Sequence, residues 1–254
     1  NKTYGGEGSD YCNSINKLED GSILMAGETN SYGQGIYGGF LINVDENGEM
    51  IWNKTYGGRN SDKINKAVID GHGNIIAIGT SRSFGSRDYD RVWLIKVDEN
   101  GEMIWNKTYG GKYHDMGRDI ITRGNHYLFG TTENYGAGKN DFWLIKVDEN
   151  GEMIWNKTYG GVDTDSLSSV TQVGKKFILS GLTKSYGAGY FDFWLIKVDE
   201  NGEMIWNKTY GGGDYDTAHE TIIGTEKGSF FTLGQTKSYG SGSFDFWLIK
   251  FKEN

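Results

Sequence analysis

Trp93-Leu-Ile-Lys-Val-Asp-Glu-Asn-Gly-Glu-Met-Ile-Trp-Asn-Lys-Thr-Tyr-Gly-Gly111 recurs without change from Trp143 to Gly161 and from Trp194 to Gly212. A fourth copy, Phe40 to Gly58, differs only at Phe40 and Asn43. The chain is an array, and its fold has to be read from the repeat unit. The Asn-Lys-Thr-Tyr-Gly-Gly segment begins at Asn1, Asn53, Asn106, Asn156 and Asn207, which marks five units.

The second unit shows the local pattern. Lys63 to Ile69 is a short mixed strand that ends at the turn Asp70-Gly71-His72-Gly73. Asn74 to Thr80 is an apolar, β-branched run. Ser81 to Arg91 is a polar loop, and Val92 to Val97 is a second apolar run. Asp98-Glu99-Asn100-Gly101 signals a hairpin, and Glu102 to Tyr109 is the last strand. Four short strands joined by tight turns make an antiparallel meander. The second strand is apolar on both faces, as in Phe177-Ile178-Leu179, so its sheet needs cover on both sides. A glycine follows in each unit (Gly27, Gly79, Gly130, Gly181, Gly234), read as a close approach between sheets.

The expected fold is all-β: a five-bladed β-propeller of four-stranded antiparallel blades. The blades span residues 7–57, 58–110, 111–160, 161–211 and 212–254 plus 1–6, in one domain over 1–254. The chain starts on Asn1-Lys-Thr-Tyr4, the end of a fourth strand, and Trp247 to Asn254 stops after a third. The N-terminal strand is therefore expected to pair with the last blade and close the ring. An open stack of sheets is the alternative.

Leu144-Ile-Lys-Val-Asp-Glu-Asn-Gly-Glu-Met-Ile-Trp155, an Asp-x-x-Gly hairpin followed by a Trp-bearing strand, resembles propeller repeats of the PQQ/kelch-like kind. It is also similar to uncharacterised Gly-Gly/Trp surface repeats of bacteria and archaea. The resemblance implies architecture. It brings no lectin or hydrolase motif with it.

Composition narrows the function classes. Forty Gly sit at fixed repeat positions, Pro is absent, and sixteen Tyr, twelve Phe and eight Trp supply core material. Net charge is −8, with no Lys/Arg cluster, which argues against nucleic-acid partners. No apolar run is long enough for a spanning helix, so membrane insertion is not expected. The single Cys12 forms no intramolecular disulfide. No signal peptide is visible before Asn1, which reads as a mature product or an excised domain.

Three sets of residues stand out. The long loops carry Tyr32, Phe84, Tyr135, Tyr186 and Tyr239, and acids precede the third strand at Asp90, Asp141, Asp192 and Asp245. An aromatic face and a carboxylate suit a sugar, and equally suit packing between blades with loop capping. A second recurrent acid follows Tyr-Gly-Gly at Asp10, Asp62, Asp115, Asp165 and Asp216, expected to bind its own turn, with a ring that draws a cation into the channel as the alternative. The innermost strands differ most between units. They offer Lys66, Arg118, Asp119, His219 and Glu220 for an asymmetric site at the channel mouth.

His72, His114, His126 and His219 show no metal spacing, and no nucleophile or phosphate-loop motif occurs. No metal or cofactor is expected. The expected function is a non-catalytic, extracellular or cell-surface binding and display module. It engages a glycan or protein ligand through the long-loop face. A structural role with self-association is the alternative. A glycoside hydrolase using Asp119 and Glu220 is third.

Overall fold

The computed structural model describes residues 1–85 and 89–253. Ser86 and Arg87 of the second long loop, and Asn254 at the end of the last expected blade, lie outside the described residues. Among the described residues the secondary structure is all-β, without helices.

The strands form five antiparallel sheets. The first holds β1 (Asp10–Lys17), β2 (Ile23–Thr29), β3 (Gly38–Val44) and β4 (Met50–Tyr56). The second holds β5 (Asp62–Ile69), β6 (Ile75–Ser81), β7 (Arg91–Val97) and β8 (Met103–Tyr109). The third holds β9 (Asp115–Arg123), β10 (Asn125–Thr132), β11 (Asp141–Val147) and β12 (Met153–Tyr159). The fourth holds β13 (Asp165–Val173), β14 (Lys176–Thr183), β15 (Asp192–Val198) and β16 (Met204–Tyr210). The fifth has three strands, β17 (Asp216–Ile223), β18 (Ser229–Thr236) and β19 (Asp245–Lys252). Strand order follows chain order in every sheet, as a meander requires.

The chain divides into two compact units, Asn1–Leu128 with Ile145–Asn156 and Phe129–Leu144 with Lys157–Asn254. In the first unit, Leu24, Ala26 and Leu41 pack with Ile64, Ala67, Ile75, Trp93 and Ile95. Both faces of β6 and β7 are buried, whereas β8 alternates with solvent. In the second unit, Ile178, Phe193, Leu195, Ala218, Phe230 and Phe251 form a comparable core. Each Leu, Ile or Phe among them contributes roughly 1.5–3 kcal/mol on full burial.

The identical outer strands tie each sheet to the next. In the first unit Tyr56 Oη donates to Gly101 O at 2.8 Å, and Lys54 pairs with Glu102 at 2.6 Å. Tyr109 repeats this at Gly151 O (2.7 Å) and Lys107 at Glu152 (2.6 Å). In the second unit Tyr159 donates to Gly202 O at 2.7 Å, and Lys157 pairs with Glu203. The acceptor glycines lie at the hairpin position with φ of 73–78°. The hairpin Asp holds the turn: Asp98 Oδ1 accepts from Asn100 N at 2.9 Å and Glu102 N at 2.8 Å.

Two expectations are corrected. The glycine after the second strand faces its own sheet first. β1, β5, β13 and β17 each carry a bulge, at Asn13, Asn65, Ser168 and His219. The bulge turns a carbonyl toward the glycine opposite. A Cβ on Gly27 would lie 1.8 Å from Tyr11 O, and one on Gly79 1.8 Å from Lys63 O. Neighbouring rings come second, as with Phe142, which would lie 2.9 Å from a Cβ on Gly181.

Closure by the N-terminal strand is also not observed. Residues 1–9 form no strand, and β19 is an unpaired edge. Phe246 is 94% exposed and Leu248 62%, whereas their counterparts Phe193 and Leu195, paired with β16, are fully buried. Asn1-Lys-Thr-Tyr4 is only half of an outer strand. It keeps only the grip of an outer strand on the next hairpin: Tyr4 Oη donates to Gly48 O at 2.8 Å and Lys2 pairs with Glu49.

Gly79→Ala is expected to lower stability by about 3 kcal/mol or more, because backbone must move. Gly71→Ala, with nothing within 4 Å, is expected to stay within about 0.5 kcal/mol. Urea unfolding of the two variants checks the difference.

Candidate functional site

Each loop aromatic packs a ring face on the fold, and Tyr32, Tyr135, Tyr186 and Tyr239 remain 42–49% exposed. Tyr32 packs on Phe40 with ring centroids 5.6 Å apart, and Phe84 on Trp93 at 5.9 Å. Tyr135, Tyr186 and Tyr239 pack on Trp143, Trp194 and Trp247 at 5.1, 5.2 and 5.0 Å. The hydroxyls of Tyr32, Tyr186 and Tyr239 donate to Gly5, Gly160 and Gly211 carbonyls at 2.7–2.9 Å. These contacts are the packing alternative weighed for this set.

The acids after Tyr-Gly-Gly bind their own turns. Asp165 accepts from Gly161 N at 2.8 Å, and also from Ser185 Oγ (2.7 Å) and Thr183 Oγ1. Asp10, Asp62 and Asp216 repeat the pattern through Gly6, Gly58 and Gly212 amides at 2.8–2.9 Å.

The acids before the third strand are less uniform than expected. Asp141 accepts from Gly138 N at 3.2 Å, Asp192 from Ala188 N at 2.9 Å, and Asp245 from Ser241 N at 3.1 Å. Asp90 does not share their position. Measured from the invariant Trp-Leu-Ile, that position is Arg91, because the second long loop is one residue longer. Arg91 Nη1 lies 3.6 Å from Asp115 Oδ2. Asp90 instead pairs with Arg82 Nε at 2.7 Å and with His114 Nδ1 at 2.9 Å. Burial works to raise its pKa, but Arg82 and His114 outweigh it and hold the carboxyl below the ordinary aspartate range.

The channel-mouth residues divide between the units. Lys66 follows the bulge at Asn65, opposite Ile78. Arg118 is half-buried, and burial pushes its pKa down. Asp119 accepts from its neighbour Ile120 N at 2.8 Å. These three belong to the first unit. His219, itself a bulge residue, and Glu220 are exposed on β17 of the second unit.

Two cavities of the first unit carry chemistry that the sequence reading passed over. One, of 240 Å³, is lined by Glu28, Asp62, Lys63, Arg82 and Asp90, with Tyr37 and Met116. Glu28 is half-buried, and its side chain has no ion pair or hydrogen bond among the described residues. The matching residues in other repeats are Thr80, Thr131, Leu182 and Gln235. The signal was therefore a lone acid at an otherwise uncharged position, visible once the repeats are aligned on the glycine.

The other cavity, of 280 Å³, is lined by Asp70, His72, Thr122, Arg123, His126 and Glu149. His126 is 1% exposed, and neither ring nitrogen has a partner. Burial, then the Lys96 charge, push its pKa down, so the imidazole is neutral. Asp70 is held ionised: burial opposes this, but Lys96 at 2.9 Å and the His72 and Asn74 amides bring its pKa to about 2. Among the described residues no three His, Cys, Asp or Glu side chains converge on a point where they could share a metal ion.

No protein-family model matches the chain, and no curated protein sequence matches it. Solved structures do. A thermostable family-43 glycoside hydrolase is similar with a TM-score of 0.51 at 8% identity, over 98% of this chain and 90% of that one. A puromycin hydrolase S511A mutant is similar with a TM-score of 0.54 at 12% identity, over 98% of this chain but 37% of that one. At such identities the likeness establishes fold alone. Together with the repeated sheets, it supports a β-propeller.

The expectation of a non-catalytic display module acting through the long-loop face, and of a chain that is not an enzyme, is corrected here. The two similar structures named above are hydrolases, and the loop tyrosines on which the display reading rested spend a ring face and, at Tyr186 and Tyr239, the hydroxyl within the fold.

In the fourth repeat the residue matching His126 is Phe177, and in the second it is Ile75. A buried, unpartnered imidazole costs roughly 1–3 kcal/mol. His126→Phe is therefore expected to raise Tm by a few degrees, read by calorimetry. An unchanged or lower Tm would mean that a partner in solution satisfies the ring.

Proposed function

We propose that the protein is a hydrolase acting on a glycosidic bond at the cavity lined by Glu28 and Asp90. The observation that carries this reading is the contrast between the two carboxylates. Asp90 is kept ionised by Arg82 and His114, whereas the Glu28 side chain forms no ion pair or hydrogen bond among the described residues. Glycoside hydrolysis needs this division of labour, one carboxyl protonating the leaving oxygen while the other attacks or activates water. Glu28 takes the acid role and Asp90 the ionised role. Lys63 and Tyr37 on the cavity wall are placed to bind sugar hydroxyls. The volume of 240 Å³ lies below the usual range for drug-sized ligands and would take no more than a single sugar ring. The family-43 hydrolase shares the frame, which lends the reading context and no residue roles.

A panel of aryl glycosides tests the proposal. Wild type is expected to turn over at least one. Glu28→Gln and Asp90→Asn, folded by circular dichroism, are each expected to lose about 100-fold or more in kcat. Glu28→Gln should lose least with the best leaving group. The acid limb of kcat/KM should fall below the ordinary aspartate range, because the Asp90 pKa is lowered. No turnover across the panel, or full activity in both variants, would end this reading.

A further inference from the structure

The first residue of the third strand exists in three versions, and they solve one electrostatic problem differently. Gly38 leaves a cavity of 330 Å³ beside Gly57 and Gly58. Arg91 sets a guanidinium against the buried Asp115 carboxylate and also donates to Tyr113 O at 3.1 Å. Asp141 and Asp192 put a second carboxylate in that place, facing Asp165 and Asp216.

The geometry of the two acidic pairs is the same. A Cβ on Gly160 would stand 1.6 Å from Asp141 Oδ1 and 2.8 Å from Asp165 Oδ2. On Gly211 the corresponding distances are 1.7 Å to Asp192 Oδ1 and 2.9 Å to Asp216 Oδ2. Each glycine thus sits between two carboxylate oxygens that converge on one point. Asp141 and Asp192 are each 1% exposed, and their Oδ1 atoms have no hydrogen-bond partner among the described residues. Burial, and then the facing carboxylate, push the pKa of Asp141 up. Asp192 is raised mainly by burial, with Asp216 adding to it. Two buried carboxylates this close cannot both stay charged without a compensating positive charge.

We propose that the pairs Asp141–Asp165 and Asp192–Asp216 each bind a hard divalent cation, with Ca²⁺ the fitting class, where Arg91 supplies its guanidinium in the second repeat. The donors are oxygens only, which favours Ca²⁺ over transition metals that prefer nitrogen or sulfur. Each pair contributes two negative charges to balance the ion, and water completes the shell. The site is independent of the glycosidic reading, and its test does not use activity.

Tb³⁺ luminescence on the full chain provides that test. Tyr186, bonded to Gly160 O and packed at a tilt against Trp194, is an antenna for the first site. Tyr239, on Gly211 O and Trp247, serves the second. The expected result is sensitised emission saturating at two ions and displaced by Ca²⁺, with Tm raised by about 5 °C at saturating Ca²⁺ relative to EGTA.

The double variant Asp141→Arg/Asp192→Arg should lose the emission and melt in EGTA at least as high as wild type. If it does not fold, Asp141→Asn/Asp192→Asn should lose both the emission and the Ca²⁺ shift. Emission that survives the substitutions would place the ions elsewhere and overturn the proposal. So would a Tm indifferent to Ca²⁺ that rises on acidification, since each pair would then share a proton.

Discussion

The structure depends on one burial constraint: the second and third strands of a repeat have no polar face. Ile75 to Ile78 and Val92 to Ile95 are each at most 1% exposed, so water cannot be the neighbour on either side of their sheet. A single four-stranded meander could cover one face at most. The repeat is therefore unstable alone and gains its stability from being sandwiched. The outer strand can stay half-wet, with Met103 and Ile104 exposed, because its task is to grip the next hairpin through Tyr109 and Lys107.

Within that frame the innermost strand does the adjusting. Its bulge releases one residue from the ladder, and in the first unit that residue reaches outward. Asn13 Nδ2 donates to Ile64 O at 2.9 Å, and Asn65 Nδ2 to Gly117 O at 2.6 Å. The same bulge fixes the glycine opposite. One local irregularity thus sets both the spacing to the neighbouring sheet and the absence of a side chain in the second strand.

The architecture was legible because it is written in repetition, and repeated residues have few roles to choose from. Tyr-Gly-Gly-x3-Asp reads as a turn with its acceptor, and Asp165 on Gly161 N bears that out. The candidate site was hard to read for the same reason. Attention went to the conspicuous inner strands, whereas Glu28 lies on the second strand, where the pattern looks purely structural. Counting from the loop aromatic also selected Asp90 as an equivalent of Asp141. An extra loop residue moved the true equivalent to Arg91, with the opposite charge. A one-residue slip in a loop leaves composition unchanged and reverses the electrostatics of the position.

The uniformity of the Tyr–Gly and Lys–Glu grips has a kinetic side. Tyr56, Tyr109 and Tyr159 present the same surface to hairpins of the same sequence, so a collapsing chain gains equal reward for docking a strand on the wrong hairpin. Nothing in the outer layer discriminates between correct and skipped neighbours. Selection falls to the short connections and to the variable inner strands, such as Lys63 to Ile69 against Met116 to Thr122. Refolding should therefore be prone to traps in which whole repeats are mispaired, growing worse with concentration as repeats of separate chains compete for the same grips.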